Sequence, residues 1–549
     1  MNMKTIRMEI KGMTCVSCEN HVRDTLHQNG AENIHVNYQK GETEFQLPHG
    51  YKEENIKKEL QKTPYQPGTV IPISSDSEKK ASEGWYDYDF LIIGSGGAAY
   101  SAAIQASENG LRVAMVEKGD IGGTCVNIGC VPSKTLLQAG HLQFQTEQQP
   151  FQGLMTSAQQ PNMDELQTQK KQLVNQLRQE KYEDLIEEYG FDLIKGEAYF
   201  RDSHTISVEG KDLTAEFFLI ATGASPFIPD IPGLKETSFL TSTSALELRE
   251  VPDHLLIIGS GYIALELGQM YRHLGAEVTM MQRSSSFLKG YDPEISEAME
   301  NVLQEEGITL LKDVRYHKVE ETNGQKFVHI EMKGKSTIVQ SDHLLIAAGR
   351  KPNTERLQGE NIGLKFGKDG EVLINNFLET NISHIYAAGD VTLSPQFVYV
   401  AAHQGGIVGQ NVAKQPAKTQ NLEYVPAVTF TTPSIASIGR TEHQAKQAGY
   451  EVKTSVFPLG SVPRALVNHQ THGVFKLIMD AKTNQIIGAH VASENAGDVI
   501  YAATLAVKFK LTAHDLQETM APYLTMAEGL KLTSLTFDKD VSKLSCCAG

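Results

Sequence analysis

Two segments far apart in the chain repeat one pattern. In the first, Phe90-Leu91-Ile92-Ile93 enters Gly94-Ser95-Gly96-Gly97-Ala98-Ala99, and a helical stretch, the strand Arg112–Val116 and Glu117 follow. In the second, the strand Leu255–Ile258 leads to Gly259-Ser260-Gly261-Tyr262-Ile263-Ala264, a helix to about Leu274 and the strand Glu277–Met281, ending in Gln282-Arg283. A GxGxxA turn between strand and helix lets backbone N–H groups at a helix start approach a pyrophosphate, and an acid about 20 residues on takes a ribose hydroxyl. The glycine triplet alone is a weak signal. Strand, turn, helix, strand and acid together read Gly94, Gly96, Ala99 and Glu117 as one dinucleotide site. Gly259, Gly261 and Ala264 mark a second. That copy has no acid where NADH would want one. Arg283, with Lys289 nearby, suits a 2′-phosphate and favours NADPH, although a solvated surface arginine is the plainer reading.

Just after the first unit comes Gly122-Gly123-Thr124-Cys125-Val126-Asn127-Ile128-Gly129-Cys130-Val131-Pro132-Ser133-Lys134. Five steps on a regular helix turn about 500°, so two sulfurs at that spacing do not share a face. They meet only if Cys125 precedes the regular helix and Cys130 lies within it, a distortion Gly129 permits. Lys134 is one turn beyond Cys130, and its ammonium favours a thiolate there. Two ordinary buried cysteines are the bland alternative to a redox or metal-binding pair.

Residues 1–73 read as a small βαββαβ unit. Its strands are Lys4–Ile10, Asn33–Gln39, Thr43–Leu47 and Thr69–Ile73, and its helices Cys18–Gln28 and Glu53–Lys62. The loop Gly12-Met13-Thr14-Cys15-Val16-Ser17-Cys18 puts two thiolates at a helix start, suited to a soft cation in near-linear geometry. The spacing alone also fits a thioredoxin-type pair or half a zinc site, but no second pair lies nearby to complete a tetrahedron. Residues 74–83 are polar and read as a flexible tether.

The six cysteines form three local pairs, Cys15/Cys18, Cys125/Cys130 and Cys546/Cys547, rather than a scattered disulfide framework. A net charge of −16 argues against nucleic acid. The N-terminus has no hydrophobic core of signal-peptide length, and no run approaches the ~20 apolar residues of a membrane span. The expected location is the cytoplasm.

Several of these segments carry a resemblance. Gly122–Lys134 resembles the redox-active disulfide of the flavin disulfide reductases. Phe217–Gly223 and Leu344–Gly349 are similar to that family's strand-ending turns between domains, and Ile385–Asp390 to its second flavin-binding motif. Gly-Met-Thr-Cys-x-x-Cys on a short βαββαβ unit resembles the heavy-metal-associated domains of copper chaperones and of the mercuric reductase branch. The ending Phe537–Cys547 resembles that same branch. The resemblance implies an α/β fold with two Rossmann-like domains and an α+β dimerisation domain, preceded by a ferredoxin-like metal-binding domain. It implies FAD-binding segments at 84–235 and 350–422, an NADPH-binding domain at 236–349, an interface domain at 423–535 and a tail at 536–549.

By the same resemblance, FAD is held by Gly94, Gly96, Ala99, Glu117, Gly123, Thr124, Lys134, Thr222, Gly223, Gly389 and Asp390. NADPH is held by Gly259, Gly261, Ala264, Arg283 and Lys289. Hydride passes from NADPH to FAD, and two electrons then pass to Cys125–Cys130. Cys130 is the flavin-proximal thiolate and Cys125 the exchange thiol. Lys134 and Glu266 pair near the flavin, and Tyr262 gates the nicotinamide pocket.

One position departs from the disulfide-reducing relatives. They carry a His-Pro with a Glu five residues after the His, the His shuttling protons to a leaving thiol. Here Tyr523 stands in the His position, ahead of Glu528. A phenol is a poor shuttle at neutral pH, but its oxygen can contact a metal ion. A vicinal pair is strained as a disulfide, since adjacent Cα atoms are only about 3.8 Å apart. It suits capture and ligand exchange of a thiophilic ion. The resemblance therefore implies mercury(II) reduction for detoxification in a homodimer with a shared active site. Hg(II), donated by small thiols or mercury transport proteins, is handed between Cys15/Cys18, Cys546/Cys547 and Cys125/Cys130. A low-molecular-weight disulfide reductase of the same fold and a non-enzymatic metal-delivery protein remain as alternatives.

Overall fold

The computed structural model describes residues 3–13, 16–38, 41–48, 53–73, 86–288 and 290–540. Of the candidate residues, Cys15, Lys289, Cys546 and Cys547 lie outside them, as does the 74–83 tether. The chain divides into two units, residues 1–86 and 87–549.

The first unit is βαββαβ: β1 (Met3–Lys11), α1 (Val16–Gln28), β2 (Glu32–Asn37), β3 (Glu42–Pro48), α2 (Glu53–Leu60) and β4 (Gln66–Ile73). The strands pair antiparallel in the order β2-β3-β1-β4. Strand alternation is visible in β3, where Thr43, Phe45 and Leu47 are buried and their neighbours are not. Val22 and Leu26 of α1 and Ile56 and Leu60 of α2 bury one stripe each against that face. Cys18, in the first turns of α1, packs at the edge of this core.

Among the described residues, the second unit holds five sheets, three of them with four or more strands. In the first, β5 (Tyr88–Ile93) runs parallel to β6 (Val113–Glu117), with α3 (Gly97–Glu108) as the crossover. Lys211–Ile220 and Ile385–Ala387 extend the parallel set on the other side. Residues more than a hundred positions apart thus share one sheet, which makes this domain discontinuous. The strands are continuous apolar runs because both faces are covered.

The second sheet repeats the plan with Thr309–Leu311, Glu277–Met281, His254–Ile258 and His343–Ile346, all parallel. An antiparallel meander, Arg315–Thr322, Gln325–Met332 and Lys335–Ser341, is inserted before its last strand. The third sheet is antiparallel, in the order Ala427–Thr429, Ser434–Gly439, Ile486–Ser493, Val474–Asp480 and Val452–Pro458, with the helices Ala496–Lys508 and Glu528–Leu535 packed on it.

The strands Ala427–Thr429 and Ser434–Gly439 are separated at Phe430–Pro433, where Thr432–Pro433 is cis and Phe430 and Thr432 turn their N–H groups to another domain. As the spacing requires, Cys125 precedes the long helix, in a short helical turn of its own, α4 (Gly123–Asn127), and Cys130 lies within the long helix, as the first residue of α5 (Cys130–Glu147). Gly129 forms the break between them; a Cβ there would stand 2.9 Å from the Thr124 carbonyl oxygen.

Candidate active site

The cysteine segment begins where β6 ends. Gly123 has φ +66°, and a Cβ on it would lie 2.6 Å from the Gly96 Cα. Only glycine lets the cysteine turn approach the first GxGxxA turn this closely. Asn127 ties the turn down by donating to the carbonyls of Ile121 at 2.8 Å and Gly123 at 3.0 Å.

Both cysteines are free thiols; Cys125 is half-buried and Cys130 exposed. The Cys125 thiol donates to the Cys130 sulfur, and the Lys134 ammonium adds its charge, so Cys130 is lowered to about 7. That same hydrogen bond, with burial, pushes Cys125 far up. The pair therefore holds one shared proton near neutral pH.

Lys134 comes from α5, and its Nζ donates to Glu266 Oε2 at 2.7 Å. Glu266 lies on the helix Tyr262–His273 and is buried. Its other oxygen accepts from the Phe430 N–H at 2.9 Å. The Phe430 ring lies 4.6 Å below the Lys134 Nζ. One turn on, Gln269 accepts from the Thr432 N–H and donates to the Thr432 carbonyl, both at 2.7 Å. Three domains meet at this point.

Tyr182 also faces the cysteines. It lies on a π-helical segment, Gln179–Glu183, that follows α6 (Met163–Arg178). Burial raises its phenol, and the negative charge of Cys125 and Cys130 adds to that. Tyr100 of α3 donates to the Tyr182 carbonyl at 3.0 Å and packs edge-on at 4.8 Å. Sequence spacing did not find Tyr182; a π-bulge is a recurrent mark of functional sites, but only the fold reveals it.

Two cavities lie against the two glycine turns. One, of about 350 Å³, is lined by Gly94, Glu117 and Thr222 among others. Ala99 is buried behind the turn. Glu117 accepts from Ser95 Oγ and the Gly119 N–H, each at 2.6 Å. Thr222 Oγ1 donates to the Asn353 carbonyl at 2.7 Å, and Gly223 follows. Thr124 is exposed on α4. Gly389 donates its N–H to Gln404 at 2.7 Å and starts the turn carrying Asp390. Burial raises the Asp390 carboxyl, against the Arg350 guanidinium 3.6 Å away. Arg350 Nε is buried without a hydrogen-bond partner. Arg350 was absent from the sequence reading, since nothing marks it but its neighbours. Open glycine turns, Glu117 at the ribose-type position and the buried Asp390 carboxyl fit a flavin dinucleotide.

The other cavity, of about 610 Å³, is lined by Gly259, Gly261, Tyr262 and Arg283 among others. Ala264 is fully buried beneath it. Burial raises the Tyr262 phenol. Three atoms of its lining residues, Tyr316 Oη, Gln396 Nε2 and Arg350 Nε, are buried without hydrogen-bond partners. A cavity with a glycine turn and unspent donors fits a nicotinamide dinucleotide.

Tyr523 sits elsewhere, exposed on the loop before the helix Glu528–Leu535. Among the described residues no group of three or more His, Cys, Asp and Glu is placed to hold a metal ion. No described helix is long and apolar enough to cross a membrane.

Residues 88–405 match the pyridine nucleotide-disulphide oxidoreductase family, residues 425–533 its dimerisation domain and residues 7–66 the heavy-metal-associated domain. The chain is 57% identical over 549 residues to the mercuric reductase of Staphylococcus aureus, covering 100% of both. It is 55% identical to that of Bacillus cereus, covering 100% of this chain and 88% of the relative. Among solved structures, the Cu(II) complex of the HOCl-induced flavoprotein disulfide reductase RclA from Escherichia coli superposes with a TM-score of 0.74 at 30% identity, covering 82% of this chain and 99% of the other. A redox-poised cysteine pair between two dinucleotide cradles, with full-length relatives of this closeness, places the chain in the pyridine nucleotide-disulphide oxidoreductase family, among the mercuric reductases.

Proposed function

We propose that this chain reduces thiolate-bound Hg(II) to Hg(0) with NADPH, at the Cys125/Cys130 pair. The observation that carries the reading is the pair itself: a thiol and a thiolate sharing one proton, beside Lys134. Soft thiolates are the ligands for a soft cation, and two of them suit linear coordination.

FAD and NADPH, once bound, supply hydride transfer and a two-electron reductant. Gly94, Gly96, Ala99, Glu117, Gly123, Thr124, Thr222, Gly223 and Asp390 hold the first. Gly259, Gly261, Ala264 and Arg283, with Lys289, hold the second. Cys130 enters as the thiolate, and Cys125 loses its proton as it takes up the ion. Lys134 balances the negative charge of the pair, and Glu266 keeps the ammonium in place. Tyr262 covers the nicotinamide pocket. Two electrons convert Hg(II) to Hg(0), and both thiolates are released as ligands. Tyr182 and, across a homodimer interface, Tyr523 present phenolic oxygens to the ion in transit.

Cys15/Cys18 and Cys546/Cys547 deliver the ion by ligand exchange, so that it is never free in solution. Small thiols and mercury transport proteins are its donors, and the cytoplasm is where the enzyme works. The high stability of Hg(II) bound by thiolates requires such a relay.

The test is NADPH oxidation by flavin-loaded protein in excess small thiol, with and without Hg(II), and with oxidised glutathione as a parallel substrate. Oxidation that needs Hg(II) and releases volatile mercury is expected. Oxidation driven by the disulfide and inhibited by Hg(II) overturns the reading in favour of a thiol-disulfide reductase.

A further inference from the structure

The wall of the 610 Å³ cavity carries a residue that none of the nucleotide motifs includes. At the end of the strand Glu277–Met281, where an NADH site needs a carboxylate, stands Gln282, which is 5% exposed. Its amide is spent inside the protein: it accepts from the Ser260 hydroxyl and donates to the carbonyls of Ser284, at 3.0 Å, and Ser286. Gln282 therefore fixes the turn that carries Arg283 rather than reading a ribose. Arg283 is exposed at the cavity and has no ion pair among the described residues.

Tyr316 lines the same cavity from the inserted meander, not from the Rossmann unit. It packs against the core cluster that includes Ile258, Met281 and Ile346, the ends of three parallel strands. The hydroxyl is buried and has no hydrogen-bond partner. Leaving a buried hydroxyl unpaired destabilises a protein, so its retention here points to a ligand. Arg283 is close enough for its charge to act on the phenol, while burial keeps the phenol protonated and thus a donor.

We propose that Tyr316 is a specificity-determining residue: its hydroxyl donates a hydrogen bond to the 2′-phosphate of the nicotinamide cofactor, beside the Arg283 guanidinium. A donor facing an anion gives a stronger bond than one facing a neutral ribose hydroxyl. The phenol thereby adds to the preference for NADPH over NADH that Arg283 begins. This rests on the reading of the cavity as the NADPH site.

The experiment is direct binding, by calorimetry, of 2′,5′-ADP and 5′-AMP to the flavin-loaded enzyme and to its Tyr316→Phe and Arg283→Ala variants. Tyr316→Phe is expected to weaken 2′,5′-ADP about tenfold and to leave 5′-AMP within about twofold. Its flavin content and thermal midpoint stay at the wild-type level or rise, because an unpaired buried hydroxyl is removed. Wild-type affinity of Tyr316→Phe for 2′,5′-ADP, with Arg283→Ala weakened, overturns the role of Tyr316 alone. Wild-type affinity of both variants overturns the 2′-phosphate site, and this inference with it. Equal weakening of both ligands by Tyr316→Phe also overturns it, because the hydroxyl then does not read the phosphate.

Discussion

Lys134 and Glu266 lie 2.7 Å apart and come from different domains, Lys134 from the cysteine helix and Glu266 from the first helix of the nicotinamide unit. The ion pair ties the flexible ammonium to a buried carboxylate, so its charge stays on the cysteine side. The Cys130 thiol, lowered to about 7 by the Cys125 hydrogen bond and then by Lys134, is a thiolate above that pH and is reprotonated as pH falls through it. Lys134→Met should therefore move the midpoint of Cys130 alkylation by iodoacetamide upward, toward the ordinary thiol range. A midpoint unmoved from wild type would mean that Cys125 alone sets it.

Phe430 supports the same ammonium from the interface domain. A ring 4.6 Å from a cation contributes about 0.5–2 kcal/mol, depending on how far the site is desolvated. Phe430→Leu is expected to lower turnover by about twofold to thirtyfold, and Phe430→Trp to keep most of it. In a Lys134→Met background the Phe430→Leu change should have no further effect. An equal loss in both backgrounds would assign the ring an independent packing role.

The Gly123 approach to Gly96 ties the cysteine turn to the flavin cradle. Gly123→Ala forces a Cβ to 2.6 Å from the Gly96 Cα, at a φ that costs an L-residue about 1 kcal/mol before any clash. The expected outcome is loss of flavin on purification, read as the ratio of visible to ultraviolet absorbance. Full flavin retention would show that the two turns separate without cost.

The two dinucleotide units and the small βαββαβ unit were legible in the sequence because each carries its own local pattern: alternating strands, a glycine turn and an amphipathic helix. The cysteine pair was legible for the same reason, since Gly129 and Lys134 are its chain neighbours. Tyr182, Arg350, Phe430 and Tyr316 were not. Each reaches its site from a distant part of the chain through tertiary packing, and none belongs to a local motif. Arg283 was legible by its place after a strand, whereas the sealing of Gln282 by Ser260, Ser284 and Ser286 depends on a turn that folds back.

The tail can be tested without any structural premise. Cys546→Ala with Cys547→Ala should lose turnover of thiol-complexed mercury while NADPH still reduces the flavin at the wild-type rate. Unchanged mercury turnover would remove the tail from the relay.

Lys476 offers a test of how the nicotinamide domain is fixed to the interface domain. Its side chain is 1% exposed, and its ammonium lies 3.5 Å from Asp292, 2.8 Å from Glu294 and 3.0 Å from Glu442. Asp292 and Glu294 belong to the helix Pro293–Glu305 and its cap, whereas Lys476 and Glu442 belong to the interface domain. Lys476→Met leaves three carboxylates around an uncharged side chain. Removing one partner of a buried pair costs about 3–5 kcal/mol. Hydrogen bonds from Lys446 and Lys476 hold the Glu442 carboxyl below the usual carboxylate range. That hold contributes stability above the ordinary glutamate range and is lost as pH falls through the lowered folded-state value, and Lys476→Met removes part of it. Thermal midpoints of wild type and Lys476→Met measured at pH 7 and pH 4 should therefore draw closer at the lower pH. A gap that stays constant with pH would mean that lost packing of the lysine stem, not uncompensated charge, causes the destabilisation.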